Sequence, residues 1–354
     1  MIGIGIVGYG YWGPNLLRNF SEVPGCRVVA VSDLQDSRLA KVRARYPSTK
    51  TTASFGDLIA DPQVDAVVIA TPVCTHFDLA MQALRAGKHV LVEKPIATTS
   101  DQAQQLLDEA DRRRLVLAVD HTFVYTGAVR KMRELVENGG IGDIYYYDSV
   151  RVNLGLFQHD VNVLWDLAVH DLSIMDYVLP MRPCAVSATG IGHVAGKPED
   201  IAYLTLMFDA PMIAHMHVNW LAPVKVRRTL IGGSRRMISY DDVEPSEKIK
   251  VYDKGITLNG AHGSNGHGNG NGHGDRLYEL LVSYRAGDVL APQLDMTEAL
   301  LREARHFVRC ISEREEPLAG GRAGLRVVRL LEAASLSMRE RSRVVELEME
   351  SCVA

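Results

Sequence analysis

The chain has 354 residues, with 39 lysines and arginines against 43 aspartates and glutamates, for a formal charge of −4. At roughly 150 residues per domain, that length suggests about two domains. With 47% hydrophobic and 23% charged residues it is ordinary globular material, which excludes a disordered chain, a collagen and a coiled-coil rod. No excess of positive charge is available to hold a polyanion, so nucleic acid is not expected as a partner. Five cysteines, Cys26, Cys74, Cys184, Cys310 and Cys352, are odd in number and show no CxxC spacing. Reduced thiols in a cytoplasm fit that usage. The opening MIGIGIVGYGYWGP lacks a basic stretch and a cleavage site, and no apolar run approaches the ~20 residues of a membrane helix. A cytoplasmic protein without a membrane partner is therefore expected.

The first 120 residues alternate between two periods. Short β-branched runs at 2–7, 27–32, 64–70, 89–92 and 115–119 read as strands, and the stretches 13–22, 36–46, 54–60, 75–86 and 99–114 have helical spacing. Continuous apolar strands separated by amphipathic helices imply a parallel sheet covered on both faces. Beyond residue 122 the rhythm changes. Helices are expected at 126–138 and within 161–179, and strands at 201–208, 212–220, 226–231, 236–240 and 247–253. The close spacing of these strands reads as an antiparallel sheet. The apolar residues of MIAHMHVNW (212–220) are expected to cover the outer face of that sheet and to support a homodimer or homotetramer. Two helices follow, near 297–313 and 321–340, and are expected to pack back on the first domain. The fold class is α/β, with a dinucleotide-binding domain over 1–122 and a second α/β domain over 123–354. The segment 260–275, GAHGSNGHGNGNGHGD, is almost wholly Gly, Asn and His. It reads as a flexible loop, since its composition cannot offset the entropy of ordering. His262, His267 and His273 within it lack a carboxylate or cysteine to complete a metal site.

Gly8-Tyr9-Gly10-Tyr11-Trp12-Gly13 fits GxGxxG between the first strand and the first helix, the context that motif requires. Gly8 permits the tight turn, Gly10 the approach of a pyrophosphate, and Gly13 close helix–strand packing. Tyr11 and Trp12 lie inside the same cradle, where a helix N-terminus favours phosphate. Asp33, 20 residues past Gly13, closes the second strand and suits the adenine ribose hydroxyls. A carboxylate there favours NAD over NADP, while Arg38 nearby pulls the other way. The competing reading of Asp33 is a helix cap. Two more strand ends point to the same crevice: Ala70-Thr71-Pro72 with His76, and Glu93-Lys94-Pro95. The competing reading of Glu93-Lys94 is an exposed ion pair of little worth.

These motifs, together with Asp166 and His170 in WDLAVHD and the helix at GLRVVRLLEA, resemble the Gfo/Idh/MocA oxidoreductase family over essentially the whole chain. The resemblance implies a Rossmann domain followed by an α/β domain with a large, mostly antiparallel sheet. It implies an NAD(P)-dependent sugar dehydrogenase or ketoreductase acting on CH–OH, commonly a dimer or tetramer. Catalysis would fall to Lys94, Asp166 and His170, and cofactor contacts to Asp33, Thr71, Pro72, His76, Glu93 and Lys94. Elementary chemistry agrees. Oxidation of an alcohol needs a proton acceptor and a stabiliser of alkoxide charge, and histidine and lysine serve those needs. Asp166 and His170 stand at i and i+4, on one face of a helix that runs through both. That chemistry needs no metal, and none is expected.

Arg151, Asn153, His159 and Asn162, in the connection to the WDLAVHD helix, are candidates for substrate hydroxyls or phosphate. The wording GYGYWGPN, NLGLFQHD and WDLAVHDLSI is similar to the nucleotide-sugar and amino-sugar biosynthesis branch, which implies hydride transfer at C3 of a nucleotide sugar. The alternatives are an NADP-dependent 3-ketosugar reductase, an inositol or sugar-phosphate dehydrogenase, and a non-catalytic NAD-binding sensor.

Overall fold

The computed structural model describes residues 1–155, 161–258 and 282–347. The segment 260–275 with its histidines, and His159, lie outside the described residues. Strands β1 (Ile2–Val7), β2 (Cys26–Ser32), β3 (Lys50–Thr52), β4 (Ala66–Ile69), β5 (His89–Glu93) and β6 (Leu117–Asp120) form a parallel sheet in the order β3-β2-β1-β4-β5-β6. The order reverses between β1 and β4, which opens a crevice at the carboxyl ends of these strands. β4 is buried at every position, as a strand covered on both faces must be. The edge strand β3, KTT, is short and polar, so its sequence carries no apolar run.

Helices α1 (Gly13–Ser21), α2 (Asp36–Arg45), α3 (Phe55–Ala60), α4 (His76–Arg85) and α5 (Ser100–Arg113) connect the strands. The helix Ala299–Glu313 returns to this layer. Its Phe307 meets Phe20 of α1 edge to face at 6.3 Å, and Glu298 accepts from both terminal guanidinium nitrogens of Arg18 at 2.6 and 3.0 Å.

The second sheet contains β7 (Ile144–Leu154), β8 (Ala185–Ile191), β9 (Ile201–Met207), β10 (Ile213–Asn219), β11 (Leu221–Gly233), β12 (Met237–Asp241), β13 (Ile249–Tyr252), β16 (Val289–Leu290) and β17 (Val345–Glu346). A separate hairpin joins β14 (Gly255–Leu258) to β15 (Val282–Arg285). The large sheet is mostly antiparallel, but its centre is not, because β10 runs parallel to β7. The stretch 212–220 differs from its sequence reading. Ala214, Met216, Val218 and Trp220 turn inward and are fully buried, while Ile213, His215 and His217 take the outer face. Period-two alternation places the larger apolar share in the core.

Helices α6 (Gly127–Glu137) and α7 (Val169–Val178) cover the inner face. The helix Gly321–Arg339 lies between the two sheets. Leu325 and Val328 enter the core of the first, and Val327, Leu330 and Leu331 enter that of the second. Trp165, just before α7, also packs against both cores.

Candidate active site

At the nucleotide end the backbone dictates glycine. Gly8 has φ +91°, and a Cβ there would lie 2.4 Å from the Ala70 carbonyl oxygen. At Gly13 a Cβ would lie 2.3 Å from the Gly8 carbonyl oxygen, which is the close strand–helix approach the motif serves. A Cβ at Gly10 would meet only an Arg38 nitrogen at 3.8 Å, so this position has room. Tyr11 and Trp12 are exposed and meet edge to face at 5.6 Å. α1 begins without a side-chain cap; Pro14 carries no N–H, and the N–H groups of Asn15 and Leu16 donate to the Trp12 carbonyl oxygen at 2.9 and 3.1 Å, which leaves the Gly13 N–H for a ligand.

Asp33 is buried and organises the loop. Its carboxylate accepts the N–H of Tyr9 at 2.7 Å and of Gln35 at 2.8 Å, and pairs with Arg38 at 3.2 Å. Burial alone would raise its pKa, but the two backbone donors and the guanidinium outweigh burial and hold it below the ordinary carboxylate range.

His76, at the start of α4, is buried. Its two ring nitrogens lie 2.8 Å from the carbonyl oxygens of Thr71 and Pro95, so it ties the loop after β4 to the loop after β5. Burial lowers its pKa, so the ring is neutral and its single N–H donates to one of these two oxygens. Thr71 shares a hydroxyl hydrogen bond of 2.7 Å with Thr75, and Pro72 stands exposed beside them.

Glu93 and Asp120 are register partners at the ends of β5 and β6, and both are buried. Glu303, from the helix Ala299–Glu313, is buried against them. Among the described residues, Glu93 Oε1, Asp120 Oδ2 and both Glu303 oxygens are buried without a hydrogen-bond partner. Burial, then the Asp120 charge, drives the Glu93 carboxyl well above its ordinary range. Glu303 is driven the same way by burial and the same two neighbours. Charge on Glu93 is thus disfavoured, although Lys94 is its neighbour in sequence.

The Lys94 amine turns across the crevice instead. It donates to the Asp166 carbonyl oxygen at 2.9 Å and to Asp166 Oδ1 at 3.2 Å. Asp166 Oδ2 accepts the indole N–H of Trp220 at 3.0 Å. The carboxylate is held from both sides by groups 72 and 54 residues away in sequence. Asp166 sits in a π-wound turn, Leu164–Ala168, which passes directly into α7. Such turns are rare and concentrate at functional sites. Asn162 starts this turn: its Oδ1 accepts the N–H groups of Leu164 and Trp165 at 3.2 and 3.3 Å, and its amide donates to Glu199 at 3.0 Å.

His170 follows on α7. Its Nδ1 is buried without a partner, and its ring meets Phe123 edge to face at 5.0 Å. Burial, then the charges of Lys94 and Arg151, push its pKa well below the ordinary histidine value. The imidazole is therefore neutral at neutral pH. His121 lies in the same positive field, and burial takes its pKa down to about 4.

The structure thus brings Lys94, Asp166 and His170 to one place, and the glycine loop, Asp33, Thr71 and His76 to the neighbouring strand ends. Arg151 does not stand free. It is buried and binds Asp171 with two hydrogen bonds of 2.8 and 3.0 Å, under the residue that follows His170. Its guanidinium stacks on Phe123 at 4.5 Å, and that of Arg227, its register partner on β11, lies 5.6 Å from the same ring. Asn153 is half-buried on β7. Sequence reasoning missed Trp220, Phe123, Arg227, Asp120 and Glu303. The usable signal was period two in 212–220, which turns Trp220 inward.

Comparison with known proteins gives matches of family and fold. Residues 2–121 match a family model described as an oxidoreductase family with an NAD-binding Rossmann fold, and residues 129–239 match the GFO/IDH/MocA C-terminal domain. The chain is 28% identical over 224 residues to the uncharacterized oxidoreductase YrbE of Bacillus subtilis, covering 58% of this chain and 63% of that protein. It is 24% identical to the myo-inositol 2-dehydrogenase of Thermotoga maritima, over 98% of each chain. To the UDP-N-acetylglucosamine 3-dehydrogenase of Acidithiobacillus ferrooxidans it is 27% identical, over 95% of each. A solved structure of an enzyme of that name from the same organism shares the fold, with a TM-score of 0.79 at 24% identity over 97% of this chain and 99% of the other.

Proposed function

We propose that this chain, which belongs to the GFO/IDH/MocA oxidoreductase family, passes a hydride between a secondary alcohol carbon of a sugar and nicotinamide. Its N-terminal part is an NAD-binding Rossmann fold, and the residues there fit a dinucleotide. The room at Gly10 beside Arg38 and the absence of a side-chain cap on α1 suit a pyrophosphate. Arg38 is engaged by Asp33, which supports NAD rather than NADP. When bound, the nicotinamide accepts the hydride in oxidation and returns it in reduction.

The observation that carries the reading is the Lys94–Asp166 contact with His170 one turn further on. Neutral His170 takes the hydroxyl proton as the C–O⁻ develops. Lys94 places its ammonium beside that oxygen and lowers the cost of the charge. Asp166, fixed by Trp220, holds the Lys94 amine in place. The buried pair Arg151–Asp171 supports α7 beneath His170.

A nucleotide sugar reacting at C3 is the substrate class we favour, supported by 27% identity over 95% of the chain to the UDP-N-acetylglucosamine 3-dehydrogenase. The reading includes a homodimer or homotetramer in a reducing cytoplasm. The four described cysteines are free, and among the described residues no helix is long and apolar enough to cross a membrane. The test is a panel of nucleotide sugars, sugar phosphates and inositols followed by NADH absorbance. Lys94→Ala and His170→Ala should each retain NADH binding and lose turnover by at least ~100-fold. Full turnover in both variants overturns the assignment, and silence of the wild type across the whole panel favours a sensor.

A further inference from the structure

A second chemical cluster lies at the other end of the first sheet. His306 and Cys310 are one turn apart on the helix Ala299–Glu313, and Glu315 follows just beyond its end. His306 and Cys310 are buried, and Glu315 is partly exposed. His306 Nε2 stands 3.5 Å from Cys310 Sγ and 3.5 Å from Glu315 Oε2, and the three ligand atoms all lie within 4.8 Å of one another. Zinc bonds of about 2.3 Å to sulfur and about 2.0–2.2 Å to nitrogen and oxygen, opened to a tetrahedral angle, give edges of about 3.4–3.6 Å. Two of the three edges therefore have the required length already.

The imidazole is also aimed. Its Nδ1 is held by the Tyr125 hydroxyl at 3.1 Å, which turns Nε2 toward the other two groups. Such outer partners commonly fix a metal-binding histidine. The buried thiol and imidazole are already ordered, so coordination loses little side-chain entropy. The competing contact is Arg309, 3.3 Å from the same Glu315 oxygen, and that guanidinium is half exposed and free to turn to water. Cys310 and Glu315 also border a cleft of about 720 Å³ with His89, Leu117 and Arg322. His89 and Leu117 begin β5 and β6, so this cleft opens at the amino-terminal ends of the strands that carry Glu93 and Asp120 at their carboxyl ends.

We propose that His306, Cys310 and Glu315 bind a divalent transition metal of the zinc type, with water from the cleft as the fourth ligand. The nitrogen, sulfur and oxygen donors suit zinc and cobalt rather than magnesium or calcium. The ion clips the end of the helix to the segment that follows. That segment supplies the Ala319 carbonyl oxygen to the Val119 N–H of β6 at 2.8 Å, so the clip anchors the sheet edge.

Cobalt(II) added to the full-length, metal-stripped protein should give a near-ultraviolet thiolate-to-cobalt band at one equivalent, and zinc should displace it. Cys310→Ser should abolish the band. Tyr125→Phe should weaken cobalt binding by about 10- to 100-fold. Histidines of the 260–275 segment carry no thiolate and cannot produce the band. Absence of the band in the wild type, or its persistence in Cys310→Ser, overturns the site. Neither result bears on Lys94 or His170.

Discussion

His121 has both ring nitrogens buried and, among the described residues, without a hydrogen-bond partner, near the positive charge of Lys94. A folded pKa of about 4 against an ordinary value near 6.5 means that the native state excludes a proton which the unfolded chain accepts. Stability tied to this residue is complete above pH ~6.5 and is lost as pH falls toward 4, by up to on the order of 3 kcal/mol. Urea unfolding of the wild type and of His121→Asn between pH 7 and pH ~4.5 should give curves that converge as acid is added. Parallel curves would show that His121 does not titrate in this way. The raised carboxyls of Glu93 and Glu303 work in the opposite sense, since they lose stability as pH rises, and they are common to both proteins. That Lys94, Asp166 and His170 would lie together was legible because each falls in a short motif. Trp220, Phe123 and Glu303 were not, since their meaning comes from contacts over tens of residues that local pattern does not record.

Period carries much of the information about elements. The strands β1, β2, β4, β5 and β6 and the five helices among them fall within a few residues of their expected bounds, because continuous apolar runs and helical spacing differ so plainly. β3 escaped because KTT is polar. The parallel pair β7–β10 escaped because alternation reports a face and not a direction. The π-wound turn at Leu164–Ala168 was likewise invisible: a widened turn leaves the apolar spacing almost unchanged, yet it decides where the Asp166 carboxylate points. The glycine loop offers an element-scale test. Gly13→Ala would press a methyl group into the Gly8 carbonyl at 2.3 Å and force β1 and α1 apart. It should cost about 1–3 kcal/mol in denaturant unfolding and weaken NADH binding at least tenfold. Unchanged NADH affinity would remove the loop from the cofactor site.

At the scale of the whole molecule, the described residues leave apolar side chains of the second sheet's outer face exposed. Tyr203 stacks flat on His217 there at 4.4 Å, and Ile213, Ile191 and Tyr203 are each about half exposed. A patch of this kind on a large sheet suits a second copy of the chain. Light scattering should report at least twice the mass of one chain, and Tyr203→Lys with Ile213→Lys should reduce it to one. A monomeric wild type would exclude the arrangement. Of the apolar residues of 212–220 that the sequence offered for this face, Ile213 alone takes it, because alternation turns Met212, Ala214, Met216, Val218 and Trp220 inward.

Trp165 and the helix Gly321–Arg339 are rooted in both hydrophobic cores, and the Lys94–Asp166 bond spans the same seam. The ammonium and the carboxylate thus belong to separate halves of the protein, like the two keys of a bank vault. A displacement of one half against the other by little more than an ångström would part them while leaving each half intact. Mutations buried deep in that seam, remote from any ligand, should therefore silence the chemistry before they unfold the chain.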